Sequence, residues 1–222
     1  MASGYVGAVR ERQSRGPYFL GGWSLGAVVA YEMAQQLRAA GEDVALLAMI
    51  DEGPPAGVPP DLVRDDVDAV ASLFPAPQSG RVRELLDGSE TLRLLGPDER
   101  LLHIRERLAA AGLIPADAPI DRFRRLHQGF RARKLGISRY VARRYDSPLT
   151  LFRAADREDP PAAADDAYGW RQLCERPVQV VDVPGSHDTV VTEPNVRVLA
   201  AELQRCIHES RGAVPSSDVV RW

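Results

Sequence analysis

The chain has 222 residues, 45% of them apolar, and a formal net charge of −3. That is enough apolar material for one buried core, with or without an inserted subdomain, and the acidic balance speaks against an electrostatic nucleic-acid binder. Two cysteines, Cys174 and Cys206, are too few for a disulfide framework or a structural zinc site; both fall in helix-like sequence and read as reduced, partly buried thiols.

The opening residues, MASGYVGAVRERQSR, lack the apolar centre of a secretory signal, and no stretch reaches the length of a membrane span. The expectation is a cytoplasmic protein with no membrane partner. Residues 17 to 50 read as strand, helix, strand. PYFLGG is the first apolar run. Leu25, Val28, Val29, Met33, Leu37 and Ala40 then recur at helical steps, and Gly41 follows as a stop. VALLAMI, 44 to 50, is a continuous apolar run, as a parallel strand covered on both faces requires. A right-handed crossover opens the carboxyl ends of both strands on one edge of the sheet, with Ser24 and Asp51 at those ends.

GPPAGVPP, 53 to 60, marks a boundary. From about 61 to 145 the sequence is helical throughout, an inserted subdomain. Strand signals return at PLTLFRA and PVQVVDV, separated by an acidic, alanine- and proline-rich loop. A last helix carries Val196, Leu199, Ala200, Leu203 and Ile207 on one face, and 211 to 222 read as a flexible tail.

Gly22-Trp23-Ser24-Leu25-Gly26 sits where a strand turns sharply into a helix. Such a turn forces the serine into a strained backbone region and lifts its oxygen above the sheet, with glycines leaving room for strand and helix to approach. The Leu25 amide, at the positive end of the new helix, is placed to donate to an oxyanion. A serine nucleophile needs a base. Of four histidines, His103 and His127 lie in charged helical stretches and read as structural or solvated, and His208 suits the last turn of a helix. His187, in PGSHD directly after a strand, is the one at a carboxyl end of the sheet. The acid that orients the base is Asp51, or Asp156 or Asp159 after PLTLFRA. Glu52 reads as outward-pointing, and Asp188 as poorly placed to meet its neighbour's ring.

GPYFLGGWSLGAVVAYEMAQQLRAAGE, LLAMIDEGPP, SPLTLFRA and VPGSHDTVVTEPNV together resemble the thioesterase domain of nonribosomal peptide and polyketide synthetases, over about residues 3 to 210. The resemblance implies an α/β-hydrolase fold, a mostly parallel sheet with flanking helices, and a helical lid at 61 to 145. It implies that Ser24 takes the acyl chain from a carrier-protein thioester, that His187 moves the proton, and that Asp51 orients His187, because the family's acid commonly follows the strand after the nucleophile helix. No metal or bound cofactor is implied; the substrate rides on the phosphopantetheine arm of the carrier domain. Trp23 inside the motif is similar to terminal thioesterases, where stand-alone editing enzymes more often have histidine. Only about sixteen residues precede the nucleophile strand, fewer than the family carries. That departure implies a single oxyanion amide, Leu25, and an exposed sheet edge through which the chain self-associates.

Arg122 to Arg144 holds nine basic residues and no acidic one, interleaved with Phe123, Phe130 and Tyr140. It reads as the solvated face of a lid helix, or as a docking face for an acidic carrier domain. The leading expectation is chain release through a serine acyl-enzyme, by hydrolysis or macrocyclisation. A free esterase or editing thioesterase predicts activity on small soluble esters, and a non-catalytic remnant or interaction domain predicts no serine acylation.

Overall fold

The computed structural model describes residues 1–55, 62–71, 73–87, 89–156 and 166–213, with backbone alone at some helical positions, Phe130 among them. The chain divides into two units, Met1–Pro55 with Val141–Trp222, and Ala56–Tyr140.

The first unit is built on four parallel strands in the order β1-β2-β3-β4: β1 (Tyr18–Trp23), β2 (Val44–Ile50), β3 (Leu149–Ala154) and β4 (Val178–Val183). All four coincide with the apolar runs read from sequence. Alternation along β2 sends Leu46 and Ala48 to one face, where they pack with Phe152, Val183, Val190, Leu199 and Cys206. Leu199 and Cys206 belong to α9 (Asn195–Ala213), which extends three residues into the stretch expected to be a tail; residues 214–222 lie outside the described residues. Leu47 and Met49 point the other way and are fully buried. Burial on both faces is why β2 has no polar alternation.

α1 (Ala2–Arg12) precedes the sheet, and α2 (Leu25–Ala39) joins β1 to β2. The buried stripe of α2, Ala27, Val28, Ala30, Tyr31, Ala34 and Leu37, has helical spacing. Tyr31 stacks obliquely on Trp170 at 4.7 Å between centroids, and its hydroxyl donates to the Arg143 carbonyl at 2.6 Å. Cys174 is buried but does not lie in a helix: it ends the short α8 (Trp170–Leu173) in extended backbone.

The second unit is helical, with α3 (Leu62–Ala71), α4 (Ala76–Leu86), α5 (Glu90–Leu94), α6 (Pro97–Ala110) and α7 (Ile120–Ser138). RVRELLDGSETLRLL, expected as one helical stretch, is split between α4 and α5, and α7 stops at Ser138 rather than running on towards 145. Val67, Val70, Val82, Leu86, Leu92, Ile104, Leu108 and Phe123 make its core. His127, expected to be structural or solvated, is buried against Asp66, which also accepts from Arg100 Nη1 at 2.5 Å. Arg100 satisfies its other nitrogens on the Leu92 and Leu95 carbonyls. Burial by itself would raise the Asp66 carboxyl, but the bonds from His127 and Arg100 outweigh it and hold it below the usual aspartate range.

Candidate active site

Ser24 has φ +52°, a backbone conformation that costs an L-residue about 1–3 kcal/mol. The surroundings enforce it. Ser24 N–H donates to the Ile50 carbonyl at 3.1 Å, so β1 stays paired to its last residue, and α2 starts at once with Leu25. At Gly22 a Cβ would lie 2.1 Å from the Gly26 carbonyl oxygen, so only glycine lets strand and helix close to this distance. Gly26 itself has open space where its Cβ would be, so the room comes from Gly22 alone. The Ser24 side chain makes no capping bond to α2, which removes the ordinary reason for a serine at a helix start.

Its hydroxyl is engaged elsewhere. His187 Nε2 lies 3.1 Å from Ser24 Oγ, and His187 Nδ1 lies 2.8 Å from Asp51 Oδ2. Asp51 Oδ1 in turn accepts the Ala154 N–H at 2.9 Å and the Tyr168 hydroxyl at 2.7 Å. Asp51 follows β2 at φ +50°, its own N–H still donating to the Phe152 carbonyl. The His187 loop is pinned by Ser186 N–H donating to Thr189 Oγ1 at 2.8 Å, and Gly185, at φ +98°, leaves no room for a Cβ beside Asn195 and Thr189. Trp23 donates its indole N–H to the His187 carbonyl at 3.1 Å and lies 5.5 Å from the imidazole, centroid to centroid.

The structure therefore brings together Ser24, Asp51 and His187. Asp156 is exposed and its N–H donates to the Gly185 carbonyl, while the His187 ring nitrogens meet Asp51 and Ser24; Asp159 lies outside the described residues. His103 lies in α6 and His208 in α9. The Leu25 N–H stands in the first turn of α2, where amides have no intrahelical acceptor. Glu52 corrects the sequence reading: it is half-buried, and Ser24 Oγ lies 3.4 Å from its Oε2. The turn at Asp51 breaks strand alternation, so the two neighbours do not point to opposite sides. The sequence pattern does not single out Tyr168 and Trp170 either. Trp170 is fully buried and donates its indole N–H to the Glu52 carbonyl at 2.7 Å. The only signal for them is an aromatic pair around Gly169 at the end of a low-complexity loop.

Electrostatics follow the bonds. Burial would raise Asp51, but His187, Ala154 N–H and Tyr168 outweigh it and hold the carboxyl below the usual range. The Asp51 hydrogen bond raises His187 above an ordinary histidine against a smaller desolvation effect, and the charges of Asp51, Glu52 and Asp188 add to it. Burial pushes Glu52 up. Among the described residues no group of three or more His, Cys, Asp or Glu could hold a metal ion, and no helix is long and apolar enough to cross a membrane.

The family model for the thioesterase domain matches residues 1–205. The chain belongs to that family. Chondramide synthase cmdD of Chondromyces crocatus is 30% identical to this thioesterase domain over 218 residues, 92% of this chain and 5% of the synthase. The non-reducing polyketide synthase atnG of Arthrinium sp is 28% identical over 222 residues, 93% of this chain and 10% of that protein. The chain thus spans a tenth or less of the length of these relatives. Among solved structures it resembles a four-domain nonribosomal peptide synthetase bound to AMP and glycine, at 29% identity and TM-score 0.73, over 92% of this chain and 15% of that one. It also resembles the NocB thioesterase domain in covalent complex with a fluorophosphonate nocardicin G analogue, at 25% identity and TM-score 0.61, over 93% of this chain and 73% of that one. The fold of the thioesterase domain is an α/β hydrolase, a parallel sheet flanked by helices.

Proposed function

We propose that this domain releases an acyl, peptidyl or polyketide chain from the phosphopantetheine thioester of a carrier protein through an acyl-enzyme on Ser24. The observation that carries the reading is the unbroken relay from Ser24 Oγ through His187 to Asp51, on a serine that does not cap its helix. Ser24 Oγ attacks the thioester carbonyl carbon while its proton passes to His187 Nε2. The oxyanion formed is stabilised by the Leu25 amide and the N-terminal end of α2. The C–S bond then breaks, and the leaving thiolate takes the proton from His187. Water, or a hydroxyl or amine within the substrate, attacks the ester next; His187 accepts its proton and returns one to Ser24 as the chain departs. Asp51 holds the imidazole through Nδ1 and stabilises its charged form, itself staying ionised.

In this reading Arg143 and Arg144, both exposed on the sheet unit, belong to the face that receives an acidic carrier domain. The test is thiol release from acyl N-acetylcysteamine thioesters and from an acyl-loaded carrier protein. Release by the wild type and none above background by Ser24→Ala supports the proposal. Equal release by both proteins, or none by either, refutes it.

A further inference from the structure

Ser24 has one hydroxyl proton and two acceptors within reach: His187 Nε2 at 3.1 Å and Glu52 Oε2 at 3.4 Å. With the proton directed at a neutral His187, the serine is a nucleophile backed by its base. With the proton directed at Glu52, Nε2 must donate to Oγ, which requires the imidazolium, and the serine is idle. An ionised Glu52 favours the idle arrangement twice, by accepting the hydroxyl proton and by stabilising the positive ring beside it. The same negative charge also lies next to the place where the oxyanion forms, and like charges at that separation oppose each other. A cation bound to Glu52 reverses all three effects.

Glu52 is held for such a role. Its Oε1 accepts the Gly53 N–H at 3.2 Å and its carbonyl accepts the Trp170 indole N–H. The charged groups that act on it are His187 and Asp51, with Gly53 N–H and Ser24 as hydrogen-bond donors; among the described residues no lysine or arginine pairs with it. Burial raises its carboxyl, and an adjacent cation would bring it back down. An ammonium approaches a carboxylate to about 2.8 Å, and an amine on the carbon beside the acyl carbonyl stands about 3 Å from the esterified Oγ by ordinary bond lengths. With Oε2 at 3.4 Å from Oγ, both distances are met together.

We propose that Glu52 is a specificity-determining residue, favouring acyl groups that carry an ammonium one or two carbons from the scissile carbonyl over neutral ones. The inference rests on Ser24 being the acyl acceptor. The test gives the full chain, wild type and Glu52→Gln, two isosteric pairs of N-acetylcysteamine thioesters at neutral pH: alanyl with 2-methylpropanoyl, and β-alanyl with butanoyl. In the wild type the ammonium member of at least one pair should be preferred about tenfold or more in kcat/KM, and in Glu52→Gln that ratio should fall to about one. The variant should turn over the neutral thioesters several-fold faster, with the acid limb of the pH profile moved to lower pH, because one of the negative charges that raise His187 is then gone. No preference in the wild type, or the same preference in both proteins, overturns the proposal; the wild-type ratio alone can decide against it if the variant misfolds. A neutral fluorophosphonate run in parallel separates two failures. Labelling at Ser24 without a substrate preference overturns the subsite only, whereas no labelling removes the nucleophile and the subsite with it.

Discussion

In the sheet unit Asp51 holds His187 through Nδ1; in the helical unit Asp66 holds His127 through Nε2. The surroundings separate the two pairs. The His187 side chain is 44% exposed over an 8% exposed Asp51, and its second nitrogen meets a serine hydroxyl. His127 and Asp66 are 4% and 0% exposed, and the carboxylate is shared with Arg100. One pair is open to a reacting group and can pass a proton on. The other is a sealed ionic cluster whose consequence is the packing of α3, α6 and α7. An Asp–His contact is therefore informative only together with what the ring's other face meets.

The largest effect that would break this contrast is on catalysis. Asp51→Asn should lower turnover by about 10⁴-fold with little change in Tm, since it disturbs tautomer and charge but not the fold; steady-state kinetics beside thermal unfolding checks both halves. Asp66→Asn should do the reverse. Breaking a buried ion pair costs about 3–5 kcal/mol, read as a lower urea midpoint, while the protein that remains folded still labels at Ser24. A large loss of labelling rate in folded Asp66→Asn would erase the distinction.

The two pairs also differ in pH response. His187 is raised, so its neutral, base-competent form accumulates only above the ordinary histidine pKa of about 6.5. Labelling of Ser24 should rise with pH through a midpoint above that value, and Asp51→Asn should move the midpoint down. The stability linked to His187 has the opposite sense, present below the ordinary pKa and lost as pH rises through the folded one. Asp66 is depressed, so its stabilisation is present above the ordinary aspartate pKa and lost as pH falls through the folded value. Acid titration of the fold should accordingly be blunted in Asp66→Asn.

Smaller effects sharpen the picture. Tyr168→Phe removes one donor from Asp51 and leaves the Ala154 amide in place, so a loss of about 1 kcal/mol, several-fold in kcat, is expected. Reversing charge at Arg143 and Arg144 should weaken carrier-protein binding, more at low salt than at high, with small thioesters unaffected. Carrier binding unchanged by the reversal would remove the docking face.

Much of the sheet unit is legible in the sequence, because its signals are local. A continuous apolar run at 44 to 50, a glycine that must be glycine at 22, and polar residues directly after strands put Ser24, Asp51 and His187 on one edge. What was not legible depends on contacts between distant segments or on one unusual backbone angle. Glu52 turns to the serine because Asp51 adopts φ +50°, which no alternation rule anticipates. Tyr168 reaches Asp51 from a loop whose composition carries no periodicity. Asp66, Arg100 and His127 come from separate charged helices, and an amphipathic reading assigns such residues to solvent; only the fold pairs them.

The central claim is that Ser24 is an activated nucleophile, and intact mass after exposure to a neutral fluorophosphonate tests it most directly. One stoichiometric adduct on the wild type, absent from Ser24→Ala, is the predicted result. No adduct on a folded wild-type protein, or an adduct that survives in Ser24→Ala, would contradict it.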